Sequence, residues 1–304
     1  MGNSFTCTLS IFVSRPDVRF MMHTIPHLVR MCNYPFFERV LVIDTAPPAP
    51  RYLSNPNLGT MDQLRDCCAQ LVADGMVDRL ADIDYSEAFP RQAYQKHFRG
   101  SIRETHNYRG YPILGMMFAI EDARSDYFLH FDSDMLLYQA QGYNWIANAL
   151  SMIQSYPDLL LLAPRPGPPS VDGRLEQRGV EYRHDPRGIF RFKRVTSRRF
   201  LIDRRRFESM LPLKPLYTSW KQKIRTLLTG HGTLQSWENM VTYRMAQTNF
   251  VRADLDSPHA WTFHTPNHGA AFLEALPSII EKVESGWYPP EQAGDYDLRL
   301  EHWL

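Results

Sequence analysis

Two aspartates, Asp132 and Asp134, stand with only Ser133 between them in "SDYFLHFDSDMLL", at the end of the apolar run Tyr127 to Phe131. On an extended chain, residues two apart face the same way, so the two carboxylates are predicted to lie side by side. Like charges that close repel unless a cation lies between them. Hard oxygen donors suit Mn²⁺ or Mg²⁺, which also take phosphate oxygens as ligands. The pair therefore predicts a divalent cation bound together with a phosphorylated substrate. An ordinary polar strand end is the plain alternative for a lone pair of this kind.

A second concentration of chemistry lies in "SPHAWTFHTPNHG", where His259, His264 and His268 fall within ten positions. Neutral imidazole is an acceptable ligand for Mn²⁺ and a less natural one for Mg²⁺, so a late histidine added to the aspartates tilts the metal toward Mn²⁺. No HExxH zinc motif is present. A packed, hydrogen-bonded histidine is the bland reading for each of the three.

The elements that must position these residues are legible as alternating patterns. "CTLSIFVSRP", "RVLVIDTAP" and "MVDRLADIDYS" read as strands, separated by helical spacing in "VRFMMHTIPHLVRMC" and "LGTMDQLRDCCAQLVADG". "RGYPILGMMFAIEDARS" reads as a helix feeding one buried strand, "DYFLHFDSDMLL", followed by helix "YNWIANALSMIQSYP" and strand "DLLLLAPRP". Such alternation predicts a doubly wound α/β sheet, whose ligands bind outside the C-terminal ends of the strands. Further on, "RPGPPSVDGRLEQRGVEYRHDPRG" reads as a long loop or small hairpin, and "FKRVTSRRFLIDRRRFESM" as a strand and a short helix.

The bulk numbers exclude some partners. Among 304 residues, 34 Lys and Arg balance 33 Asp and Glu, so the formal charge of +1 gives no global attraction to nucleic acid. The four cysteines, Cys7, Cys32, Cys67 and Cys68, form no CxxC pair and read as reduced thiols. No apolar run is long enough to cross a bilayer, and the start lacks the pattern of a signal peptide. The expected location is cytoplasmic, with the inner face of a membrane as one place within it. For "KQKIRTLL" a solvated surface helix is the default, and peripheral contact with an anionic membrane the alternative.

"GMMFAIEDARSDYFLHFDSDMLL" resembles the centre of GT-A-fold, family 2-like glycosyltransferases, in which a helix leads into a strand ending in a DxD motif. The resemblance implies a GT-A-like doubly wound mixed sheet, with a nucleotide-sugar half at 1–140, an acceptor half at 141–270, and a C-terminal helix and tail at 271–304. It implies metal-dependent transfer of a sugar from a UDP- or GDP-sugar to a glycan or small-molecule acceptor hydroxyl. Asp132 would lie near ribose and metal, Asp134 would ligate the metal directly, and His264 would be a further ligand. Ser14, Arg15 and Asp44, at the ends of the first two strands, would contact base or ribose. "SWENMVTYRM" resembles the Trp-Glu-Asp motif of inverting members, which makes Glu238 the general base; Asn239 stands where the family often has Asp. Without the resemblance, Glu238 is a first-turn acid favoured by the helix macrodipole. Arg204, Arg205 and Arg206 fall where such enzymes meet the acceptor. The basic segment from Lys214 to Arg225, with Trp220, Lys221 and hinges at Gly230 and Gly232, reads as a flap over the donor. A sugar nucleotidyltransferase or a non-catalytic nucleotide- or glycan-binding domain of the same fold are the alternatives; the first normally opens with a Gly-rich loop that "SIFVSRPDVRF" lacks.

Overall fold

The computed structural model describes residues 6–48, 58–100, 102–107, 109–175, 181–221, 224 and 233–304. Its first strand, β1 (Cys7–Val13), shows how sequence alternation divides the molecule into layers. Cys7, Leu9, Ile11 and Val13 enter one apolar cluster, while Phe12 packs against another on the opposite face. Helix α1 (Met21–Cys32) covers the first face with Met21, Ile25, Leu28 and Cys32, spaced three or four apart. Each such side chain stabilises the fold by about 1.5–3 kcal/mol when fully buried. The helix stops at Asn33, whose φ of 39° is left-handed.

Three strands join β1 in parallel: β2 (Glu38–Ile43), β3 (Arg79–Asp82) and β4 (Tyr127–Asp132). Helix α2 (Met61–Ala73) starts at Thr60, whose side chain accepts from the Gln63 N–H while the Gln63 side chain returns to Thr60. Helices α3 (Ala88–Phe98) and α4 (Leu114–Asp122) cover the opposite face. Helix α3 is not among the expected elements; Pro90 is tolerated in it because it stands in the first turn.

The segment expected as one strand, "DYFLHFDSDMLL", is two. Strand β4 ends at Asp132, Ser133 and Asp134 form a turn, and β5 (Met135–Gln139) begins a second sheet. The apolar character continues because β5 is buried against a new partner, the antiparallel strand β12 (Ala260–His264). The two aspartates therefore flank a change of sheet rather than sharing one extended strand.

Past this point come α5 (Trp145–Ser155), β6 (Leu159–Ala163), β7 (Arg165–Pro166), the hairpin β8 (Tyr182–Asp185) and β9 (Ile189–Phe192), β10 (Arg199–Asp203), α6 (Arg204–Ser209), α7 (Trp237–Met245), β11 (Val251–Leu255) and, after β12, α8 (Ala270–Glu284). Among the described residues the main sheet has nine strands in the order β3-β2-β1-β4-β10-β6-β11-β9-β8, with β10 antiparallel to both β4 and β6. The second sheet, β5-β12-β7, packs against α8 and the chain end through Trp261, Phe263, Phe272 and Trp303. The result is a mixed α/β architecture of GT-A-like type.

Two expectations about charge and thiols have structural answers. Arg204 and Arg206 donate to backbone carbonyls of Ser125, Tyr156 and Leu159, and Arg205 pairs with Asp126, so this run ties α6 to neighbouring turns. The four cysteines are free thiols, with Cys7, Cys32 and Cys68 buried. Among the described residues, no helix is long and apolar enough to cross a membrane.

Candidate functional site

The C-terminal ends of β1, β2 and β4 open into a cleft of about 1230 Å³. At the exit of β1, Ser14 caps a 3-10 turn, Arg15–Arg19. Its N–H and hydroxyl both donate to Asp17 Oδ2, at 2.6 and 3.0 Å. Arg15 Nε donates to the Gly59 carbonyl at 2.7 Å, joining this turn to the approach of α2. Burial pushes the Asp17 carboxyl up to about 7, against the hydrogen bonds from Ser14 and with help from Asp134 and Asp132.

Asp44 follows β2. Its Oδ1 accepts the Tyr85 hydroxyl at 2.7 Å and the Ala46 N–H at 2.9 Å, and His106 Nε2 lies 3.1 Å from Oδ2. Burial works to raise this carboxyl, but these bonds hold it below the usual aspartate value.

The turn after β4 presents the acidic pair. Alternation puts His130 and Asp132 on one face of β4, and His130 Nε2 lies 3.1 Å from Asp132 Oδ1. Asp134 differs: its Oδ1 is buried without a hydrogen-bond partner. Its Oδ2 lies 3.6 Å from His264 Nε2 and 3.7 Å from His268 Nε2. Burial pushes the Asp134 carboxyl up to about 6, opposed by His264 and aided by Asp132.

His264 is the last residue of β12. Its Nδ1 meets Asp297 Oδ1 at 2.7 Å, which leaves Nε2 on the Asp134 side. The chain end is built in as a strand-like neighbour: the His264 N–H donates to the Tyr296 carbonyl and the Leu298 N–H to the His264 carbonyl. Burial lowers His268 to about 4, so its ring is neutral at neutral pH.

These donors suit a divalent cation in kind: two carboxylates, two imidazole nitrogens and an orphaned buried oxygen that wants a partner. They are not closed into a coordination shell. Among the described residues, no group of three or more His, Cys, Asp or Glu side chains stands in a metal-holding arrangement.

Glu238 lies across the cleft, in the first turn of α7. Its Oε1 accepts the Ser197 N–H at 2.6 Å and the Ser197 hydroxyl at 2.9 Å. Asn239 donates its side-chain amide to Gln235. Ser14, Arg15, Asp44, Asp132, Asp134 and Glu238 all line the one cleft. His264 stands behind it, beside lining residues Thr265 and His268, whereas His259 packs on Tyr143 elsewhere. Trp220 is 70% exposed and does not line the cleft; Arg225, Gly230 and Gly232 lie outside the described residues.

Sequence reasoning missed several members. Asp17 had a signal, since Ser-x-x-Asp is a capping pattern. His130 had one too, two residues before Asp132. Asp297 had none: it reaches His264 across 33 residues of chain.

A parallel N-terminal sheet, a crossover into an antiparallel strand, and a cleft on that line define the class at the level of fold, GT-A-like. No family model matches the chain, and no curated protein does. Solved structures match. GalNAc-T7 with UDP, GalNAc and Mn2+ aligns at a TM-score of 0.50 and 12% identity, over 87% of this chain and 44% of that one. This chain thus spans less than half of that protein's length. S. aureus TarS 1-349 in complex with UDP-GlcNAc aligns at 0.45 and 10% identity, over 91% and 67% of the two chains. A UDP-glucose pyrophosphorylase complexed with UDP-glucose aligns at 0.43 and 8%, over 83% and 91%. At such identities the first likeness is one of fold, and the two lower scores add nothing to it.

Proposed function

We propose that this chain is a metal-dependent glycosyltransferase that moves a sugar from a UDP- or GDP-sugar to an acceptor hydroxyl with inversion. The observation that carries the reading is the meeting, in one cleft, of the strand ends Ser14, Arg15 and Asp44 with the Asp132/Asp134 turn and, opposite, Glu238. Ser14, Arg15 and Asp44 hold the base and ribose. Asp132, Asp134 and His264 would hold Mn²⁺ or Mg²⁺, which when bound neutralises charge on the departing diphosphate. Asp297 fixes the tautomer and direction of His264.

Glu238 is the base. Both of its hydrogen bonds from Ser197 fall on Oε1, so Oε2 is left to take a proton. As the acceptor oxygen forms its bond to the anomeric carbon, its proton passes to Glu238. The bond from that carbon to the phosphate oxygen breaks, and its electron pair leaves with the nucleoside diphosphate. The absence of glycine from "SRPDVR" after β1 supports transfer of the sugar over transfer of the nucleotidyl group. The same proposal assigns 1–140 to the donor, 141–270 to the acceptor, and 271–304 to an extension that reaches back through Asp297. Peripheral membrane contact through the basic segment belongs to it as well, and vesicle co-sedimentation tests that part.

The test is metal-dependent hydrolysis of UDP- and GDP-sugars without acceptor, alongside transfer to an acceptor panel. Glu238→Gln should keep donor binding and lose transfer by roughly 10²–10⁴-fold. Full transfer by that variant excludes Glu238 as the base.

A further inference from the structure

The charges of the cleft are unevenly spread, with Arg15 the cation among the strand-end aspartates and Glu238 the acid beside the arginines. Asp17, Asp44, Asp132 and Asp134 belong to the ends of β1, β2 and β4, while Arg194, Arg198, Arg199 and Arg252 line the cleft from the β9–β10 connection, β10 and β11. Within the second group the buried Arg199 and Arg252 are short of anions, whereas Arg198 has the Asp132, Asp134 and Glu238 carboxylates near it. Arg199 and Arg252 are 1% and 5% exposed, and both bond the same oxygen, Asp254 Oδ2, at 2.8 and 2.6 Å. One carboxylate thus serves two buried guanidinium groups. Arg199 Nη1 is buried with no partner at all. Aromatic faces fill part of the gap: Tyr296 lies 4.6 Å from the Arg199 guanidinium and Phe192 4.2 Å from that of Arg252. Arg194 is exposed and Arg198 half-buried, and among the described residues neither guanidinium group makes a hydrogen bond or an ion pair.

Buried charge with too little counter-charge is costly, so an anion placed above the Arg199–Asp254–Arg252 group is favoured. The loop that carries these cations also grips Glu238, since Ser197, between Arg194 and Arg198, donates twice to Glu238 Oε1. An acceptor hydroxyl presented to Glu238 therefore sits beside the arginines. The geometry points to an anion subsite for the acceptor, formed by Arg194 and Arg198 over the buried Arg199–Asp254–Arg252 group, so that the acceptor carries a phosphate or a carboxylate near the hydroxyl that is glycosylated. This assignment rests on Glu238 as the base. The competing occupant is the donor's own diphosphate, because Arg198 also feels Asp132 and Asp134.

The experiment is calorimetric titration of the full chain with inorganic phosphate, glucose 6-phosphate, glucuronate and methyl glucoside, each with and without UDP or GDP plus Mn²⁺. Arg194→Gln and Arg198→Gln are titrated in parallel, with their melting temperatures as the check on folding. At least one anion is expected to bind roughly tenfold or more tightly than methyl glucoside, to keep its affinity beside nucleotide, and to weaken roughly tenfold in each variant. Glucose 6-phosphate against glucuronate distinguishes phosphate from carboxylate. Equal or absent binding of anionic and neutral probes overturns the subsite. Displacement of the anion by nucleotide also overturns it and assigns the arginines to the donor. If neither nucleotide binds, the glycosyltransferase reading fails, while the comparison of anionic with neutral probes still decides the subsite.

Discussion

Asp254→Asn is the sharpest structural perturbation available, because it keeps the shape of the side chain while removing its charge and turning one acceptor oxygen into a donor. Asp254 is fully buried and accepts from Arg199 Nη2 at 2.8 Å and from Arg252 Nη2 and Nε at 2.6 and 3.0 Å. The variant leaves two buried guanidinium groups with no carboxylate between them. Breaking a buried pair from one side costs about 3–5 kcal/mol, most of it the penalty on the charge left behind. At roughly 2 °C of melting temperature per kcal/mol for a chain of this size, the midpoint should fall by about 6–10 °C. Urea unfolding at neutral pH measures the free energy, and calorimetry the midpoint. The control is Arg205→Ala, which removes an exposed pair with Asp126 at 3.2 Å and should cost no more than about 1 kcal/mol. If the two variants lose the same amount, the buried cationic group is not held by Asp254, and the charge imbalance argued for the acceptor side is wrong.

Glu121 gives a pH signature: burial alone would raise its carboxyl, but bonds with His97 and Lys96 at 2.8 and 2.7 Å bring it down to about 2. A folded value below the unfolded one stabilises above about pH 4.5 and is lost as pH falls toward 2, a contribution on the order of 3 kcal/mol; Glu121→Gln should flatten unfolding free energy over that window, and an unchanged slope refutes the link. Gly167 has a φ of +78°, and a Cβ there would lie 2.5 Å from the Asp295 carbonyl oxygen, so Gly167→Ala should unseat the chain end that carries Asp297. Faster amide exchange at residues 295–298 reports it, and unchanged protection there refutes it.

Much of the N-terminal architecture was legible, because β1 alternates, β2 is a short apolar run buried on both faces, and α1 repeats its apolar residues every three or four positions. The DxD turn was legible as chemistry but not as geometry: an unbroken apolar run concealed the passage from β4 to β5, since both strands are buried, against different partners. Asp44 could be placed at a strand end, but nothing in the chain told that Tyr85 and His106 would occupy much of its hydrogen-bonding capacity. Asp297 and the shared Asp254 depend on contacts across 33 and 55 residues, which no local pattern encodes.

The measurement that bears most directly on the cleft is Mn²⁺-dependent binding of UDP and GDP to the intact chain and to Asp134→Ala. Binding in the intact chain should require Mn²⁺ and should vanish in the variant, whose melting temperature without ligand stays near that of the parent or rises, since a buried, partnerless oxygen is removed. Nucleotide affinity that is indifferent to Mn²⁺, or that survives intact in Asp134→Ala, would contradict the account.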